Sequence, residues 1–245
     1  MAVGKARIRR TPSAATPGRL TRSLRVIFLG PPGAGKGTQA ELIEARLRLP
    51  HISTGDIFRE EAKAGTALGR VVAGYMQRGE LVPDDVVVRV VAGRLARPDT
   101  RRGFILDGFP RTVPQAEALD RQLARRGRQI DLVINFPASA RVIHRRLGGR
   151  RVCRQCGQIY HVTNMPPRRP GVCDRCGGPV VQRADDRLTT IRRRLQVYEE
   201  ASLPLLTHYR RQQRLQQLSG DLDAEMLFRR FLRLLRQDGW LAPRG

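Results

Sequence analysis

Apolar residues in this chain gather in short unbroken blocks, separated by longer segments of helical period. Val26–Leu29, Phe104–Leu106 and "DLVINF" at 131–136 are runs of strand formers with no alternation, the pattern of strands covered on both faces. His51–Ser53 and the stretch "RLQQLSG" predict two further short strands. Between these blocks the period becomes helical. A helix is predicted from Thr38, with Leu42, Ile43 and Leu47 on one face, and a helix-rich segment from Asp56 to about Arg78. Pro83-Asp84-Asp85 opens another helix with acids in its first turn. "QAEALDRQLARRG" is a helix closed by Gly127, and "ASARVIHRRLGG" ends at Gly148-Gly149. A long helix starts near Arg187 and breaks at Pro204, and a terminal helix covers 223–236. Strands alternating with helices predict an α/β fold, a parallel sheet with helices on both faces.

The first strand runs into "GPPGAGKGTQA", four glycines around Lys36. Such a turn aims backbone N–H groups at one point, and the helix that follows adds partial positive charge, so together they cradle phosphates. Lys36 then reaches the terminal phosphates as a mobile point charge. The chain has only three lysines against 43 arginines. Gly30 to Lys36 fits the general phosphate-loop pattern, but Gly37 holds the usual hydroxyl position and Thr38 comes one residue later.

All four cysteines fall in one segment, Cys153-x-x-Cys156 and Cys173-x-x-Cys176, each pair followed by glycine. The spacing points to a tetrahedral four-cysteine zinc site with no open position, hence structural. The alternative of two disulfides is disfavoured in a reducing compartment.

A length of 245 residues suits one sizeable domain with insertions or two small domains. No apolar run is long enough to span a membrane. The net charge of +24 raises nucleic-acid or membrane-surface binding. The arginines are spread along the whole chain and aromatics are 5%, which favours a phosphate-handling enzyme over a stacking platform for single strands. The first 23 residues hold five arginines, one lysine, two prolines and no acid. They resemble a transit peptide in composition, and are read as a disordered basic tail.

Six motifs occur in order: "GPPGAGKGTQA" at 30–40, "STGDIFR" at 53–59, "LDGFPRTVPQA" at 106–116, "RRLGGRRVCRQCGQIYH" at 145–161, "QRADDR" at 182–187 and "RRRLQVY" at 192–198. With them the chain resembles bacterial-type adenylate kinases with a long zinc-binding lid, over about residues 24–236. The G-x-x-G-x-G-K-G-T form of the loop is that of nucleoside monophosphate kinases. The resemblance implies a parallel α/β core with a helical monophosphate-binding insert at about 53–82 and a small zinc-binding lid at about 149–182. Residues 237–245 are then a C-terminal tail. It implies the reaction ATP plus AMP giving two ADP, with Mg2+ beside ATP and Zn2+ in the lid. Gly33, Ala34, Gly35, Lys36, Gly37 and Thr38 are expected on ATP, with Arg146 and Arg150 at the base of the lid. Tyr160 aligns with a lid tyrosine that either meets ATP or packs. Thr54, Gly55, Arg59, Glu80, Val82, Gly108, Arg111 and Gln115 are expected on AMP. Arg183 and Arg194 are expected to close around the transferring group, and Asp107 to hold magnesium through water. Glu80 departs from the Lys that many relatives carry, which is harmless if only backbone carbonyls contact AMP there. The expected partners are ATP, AMP and ADP, with no membrane and no specific nucleic acid, for a cytoplasmic monomer. Two alternatives stay open: a kinase for another monophosphate such as UMP, CMP or GMP, and a basic zinc-ribbon nucleic-acid-binding protein.

Overall fold

The computed structural model describes residues 19–242. Residues 1–18 of the basic tail lie outside the described residues. Two compact units are distinguished among the described residues: 19–148 with 184–242, and 149–183.

The larger unit is built on five parallel strands. These are β1 (Leu24–Leu29), β2 (His51–Ser53), β3 (Gly103–Asp107), β4 (Leu132–Asn135) and, skipping the strands of the second unit, a last strand Leu215–Gln217. Spatially β3 lies between β2 and β1, and β4 separates β1 from the last strand. The lack of alternation in β1 has its reason here. Leu24, Val26 and Phe28 enter one core, while Ile27 and Leu29 enter another across the sheet. Phe104 and Leu106 of β3 likewise face the second core and Ile105 the first. Helices α1 (Lys36–Leu47) and the C-terminal Ala224–Gln237 cover the first face, through Ala40, Ile43, Leu227, Phe228 and Phe231. The opposite face is covered by α2 (Thr54–Ala64), α3 (Ala67–Arg78), α4 (Asp84–Leu95) and α5 (Val113–Ala124), and by the helix Leu203–Arg211.

Local chemistry sets the helix ends. The Ser53 hydroxyl accepts from the Asp56 N–H to start α2, and Gly65 ends it in the left-handed region. The predicted segment from 56 to 78 is therefore two helices, because Thr66 caps α3 by accepting from the Gly69 N–H. A Cβ at Gly69 would lie 2.0 Å from the Glu61 carbonyl oxygen, so the two helices meet only with glycine there.

The predicted break at Pro204 is realised upstream. A π-turn spans Tyr198–Ser202, between the helix Leu188–Val197 and the helix that carries Pro204 in its first turn. The proline ring has no N–H and crowds the preceding turn, and the wider loop absorbs both.

Residues 19–23 and 238–241 depart from the expected tails. Leu20 bridges Leu241, the Thr21 N–H donates to the Trp240 carbonyl, and Arg22 stacks over the Trp240 ring at 3.8 Å. Trp240 and Leu241 are buried. The core thus extends over 19–23 and 238–241, because Leu20 joins the same apolar cluster as Trp240 and Leu241.

The second unit carries β5 (Arg150–Cys153), β6 (Ile159–His161) and β7 (Val180–Val181) in an antiparallel sheet with β5 in the centre. It joins the larger unit through α6 (Ala140–Gly149).

Candidate active site

The parallel register gathers the site at the carboxyl ends of the strands, where open α/β sheets bind ligands. Phe28 pairs with Asp107 and Ser53 pairs with Asp107, so the loop after β1, the start of α2 and the turn after β3 emerge side by side.

After β1 the chain turns on Gly30 at φ 137°, where an added Cβ would meet the Phe136 carbonyl oxygen at 2.7 Å. Gly33 and Gly35 are also left-handed. Helix α1 begins at Lys36, two residues earlier than its apolar face suggests, and Gly35 caps it without a side-chain bond. Lys36, Gly37 and Thr38 therefore form a first turn whose N–H groups carry no side-chain cap, the arrangement that suits an anion. The Lys36 Nζ folds back over the loop and donates to the Gly30 and Pro31 carbonyls at 2.7 and 3.0 Å. Ala34 is buried beneath. Arg146 on α6 donates to the carbonyls of Ala34, Gly220 and Leu222 at 2.5–3.2 Å, which ties the loop's underside to the turn after the last strand.

Two pockets lie side by side in this unit. One is lined by Gly30, Pro32 and Lys36 of the loop, with Val197, Tyr198 and Ser202 opposite. The other brings together eight of the residues expected on AMP: Thr54, Gly55, Arg59, Glu80, Val82, Gly108, Arg111 and Gln115, with Arg194. Gly79, Leu81, Gly108, Arg111 and Arg194 line both. Two guanidinium groups thus stand on the wall between the pockets.

Arg111 is held by Nε donating to the Gly108 carbonyl at 2.9 Å, and its own carbonyl accepts from the Ser202 hydroxyl at 3.0 Å. Burial presses its pKa down, Asp107 opposes that, Arg59 adds to it and Asp185 opposes again. A guanidinium keeps its charge through such a shift. Arg194 is fixed by the Asp185 carbonyl and carboxylate, each at 3.0 Å, and by Asp186 at 3.4 Å. Arg59 pairs with Asp56 at 2.5 Å. The Glu80 carboxylate pairs with Arg78 at 2.8 Å, and Arg78 is not among the residues expected on AMP.

Asp107 ends β3 and lies 3.3 Å from His51 Nε2. Burial works against its charge, but the His51 hydrogen bond and the Lys36 charge outweigh it and hold the carboxyl below its ordinary value. Burial alone would lower His51, and the bond to Asp107 reverses the sign and raises it. The result is an ionised, oxygen-only donor next to the loop, which fits a hard divalent cation.

In the second unit the four cysteine Sγ atoms lie within 4.8 Å of one another. Cys153 to Cys176 is 3.5 Å and Cys156 to Cys173 is 3.6 Å, with no disulfide among them. A tetrahedron with Zn–S bonds of about 2.3 Å has S···S edges of about 3.8 Å, so the donor set fits such an ion. Tyr160 takes the packing side of its two expected roles. It is fully buried, its hydroxyl accepts from the Asp174 N–H at 2.8 Å and lies 3.3 Å from Cys173 Sγ. It packs against the cysteine cluster and presents nothing to a nucleotide. Arg150 opens β5 and Arg183 closes the unit, both half-buried.

Sequence reasoning missed Phe58, Met76 and Val87 in one pocket and Val197, Tyr198 and Ser202 in the other. The first three read as ordinary helix-face residues. The others sit in and beside the π-turn, whose trace in the sequence was Pro204.

The adenylate kinase family model matches residues 28–214. An adenylate kinase of Moorella thermoacetica is 54% identical over 197 residues, 80% of this chain and 91% of that one. Those of Thermosipho melanesiensis (46%, 87% of this chain and all of that one) and Methanocella arvoryzae (47%, 82% and 94%) are similar along nearly their whole length. Agreement of that extent, from the phosphate loop through the cysteine unit to the last strand, means that the chain belongs to the adenylate kinase family.

Proposed function

We propose that this chain transfers the terminal phosphoryl group of ATP to AMP, giving two ADP. The observation that carries it is the pair of adjoining pockets, one on the phosphate loop and one on the expected monophosphate residues, with Arg111 and Arg194 on their common wall. A phosphate oxygen of AMP attacks the terminal phosphorus of ATP, the bond to the bridging oxygen breaks, and ADP leaves with that electron pair. The attacking monoester is mostly dianionic at neutral pH, its second pKa being about 6. No side chain has to accept a proton, so catalysis reduces to alignment and charge neutralisation. Lys36 and the loop N–H groups hold the donor phosphates, Arg59 the monophosphate, and Arg111 and Arg194 the group in transit. Arg150 and Arg183 are assigned to the same task from their motif positions. Asp107 would hold Mg2+ through water, and that ion supplies further neutralisation of the phosphate charge. Among the described residues no helix is long and apolar enough to cross a membrane, and a cytoplasmic monomer is the reading we adopt.

A linked assay offering AMP, GMP, CMP or UMP with Mg-ATP tests the assignment. Rapid turnover of AMP alone is expected. Equal or faster turnover of another monophosphate would reassign the substrate, and salt-sensitive DNA binding without any phosphotransfer would favour a nucleic-acid role.

The cysteine set is assigned to structural zinc. Metal analysis should return about one zinc per chain. Cys153→Ser should lower the melting temperature while activity at low temperature survives in part, since four thiolates leave no position for substrate. Loss of activity on chelation with an unchanged melting profile would overturn the structural role.

A further inference from the structure

We propose that Asp84 selects the base accepted by the monophosphate pocket, by fixing which way round the Gln115 amide lies. The inference rests on the AMP reading of that pocket. Gln115 sits in the first turn of α5, is 1% exposed and lines the pocket. Asp84 opens α4 and packs against that turn: Oδ1 accepts from Gln115 Nε2 at 2.6 Å and Oδ2 from the Thr112 hydroxyl at 2.8 Å. On the other side, Gln115 Oε1 accepts from the Arg111 backbone N–H at 2.7 Å.

A carboxylate can only accept and a backbone N–H can only donate. Turning the amide over would set oxygen against oxygen and N–H against N–H, leaving buried polar groups unmatched. Only one orientation is satisfied. In it, half of the amide's capacity is used, and one N–H and one Oε1 lone pair remain. A fixed donor beside a fixed acceptor complements a base edge offering a ring acceptor beside an amino group, as adenine does. A 6-oxo purine offers the reverse, a ring N–H beside a carbonyl, and meets like with like. Gln115 alone could turn over to suit either edge. Asp84, set behind it, removes that freedom and so acts as a positioning residue for specificity.

Asp84 also stands in the first turn of a helix, where an acid stabilises the fold through the helix dipole. The two roles separate on a pair of variants in the full chain. Asp84→Ala removes the acceptor and the charge, whereas Asp84→Asn removes the charge and keeps an acceptor oxygen facing Gln115. Steady-state kinetics with Mg-ATP and either AMP or IMP give the preference as a ratio of kcat/KM values. Asp84→Ala should lower the AMP-over-IMP preference about tenfold or more, with KM for AMP rising more than kcat falls. Asp84→Asn should restore most of the preference. If Asp84→Ala does not fold, Asp84→Ser, whose hydroxyl is too short to reach Gln115 in the same way, carries the same expectation. An unchanged AMP-to-IMP ratio with only a lower melting temperature would overturn the proposal, as would Asp84→Asn relaxing the preference as far as Asp84→Ala. Both results presuppose wild-type turnover of AMP; its absence would instead overturn the reading of the pocket, and this inference with it.

Discussion

Lys36→Met is expected to leave the fold intact and to slow phosphoryl transfer by about three orders of magnitude or more. The side chain is half-buried, and its ammonium is anchored on two carbonyls of its own loop, Gly30 and Pro31. Methionine keeps the length and most of the apolar stem, so the packing of α1 is preserved, and each freed carbonyl can turn to water at a cost of about 1 kcal/mol. What is lost is a positive charge that can follow the phosphate oxygens as their charge shifts from donor to acceptor. That charge acts on the transition state, so the fall should appear in kcat more than in KM for AMP. The same charge is one of the causes that hold the Asp107 carboxyl below its ordinary value. Circular dichroism melting and steady-state rates check this. A folded variant turning over at a near-normal rate would remove Lys36 from the mechanism.

The main strands were legible because nothing but burial on both faces explains apolar runs such as Val26–Leu29 and "DLVINF". The register that pairs Phe28 with Asp107 was not, since it is a property of pairing between β1 and β3 and leaves no mark in either strand. The loop and the cysteine cluster were legible as chemistry, because their residue types serve few other purposes at that spacing. Roles that depend on which way a side chain points were less so. Tyr160 could meet a nucleotide or pack, and it is the proximity of Cys173 and the Asp174 N–H that decides for packing. Arg146 was expected at ATP phosphates, yet its guanidinium is engaged by three carbonyls. Among 43 arginines composition says nothing of which ones the backbone engages. Residues 19–23 and 238–241 were misread for a related reason: a short segment with few apolar residues reads as unpacked, while Leu20 and Leu241 need only one another to extend the core.

Arg111→Lys keeps the formal charge and should still lower turnover by about two orders of magnitude, with the fold retained. Arg111 uses Nε on the Gly108 carbonyl and stands on the wall between both pockets. The rest of its planar fork is left to reach two oxygens at once, and an ammonium on a flexible stem cannot hold both contacts. Burial adds a second cost. It lowers the pKa of Arg111, and the guanidinium remains charged because its ordinary value is so high. A lysine starts at about 10.4 and meets the same desolvation, so far less reserve separates it from working pH. The sign follows: desolvation favours the neutral amine, and the positively charged form is lost as pH rises through that depressed pKa. Turnover of the variant should therefore fall further with rising pH across the alkaline range, where the wild type stays level. Rates at saturating ATP and AMP, measured as a pH series on both proteins, separate the two effects. A variant slow at every pH with a level profile would leave fork geometry as the whole cause, and one matching the wild type throughout would take Arg111 off the path of the transferring group.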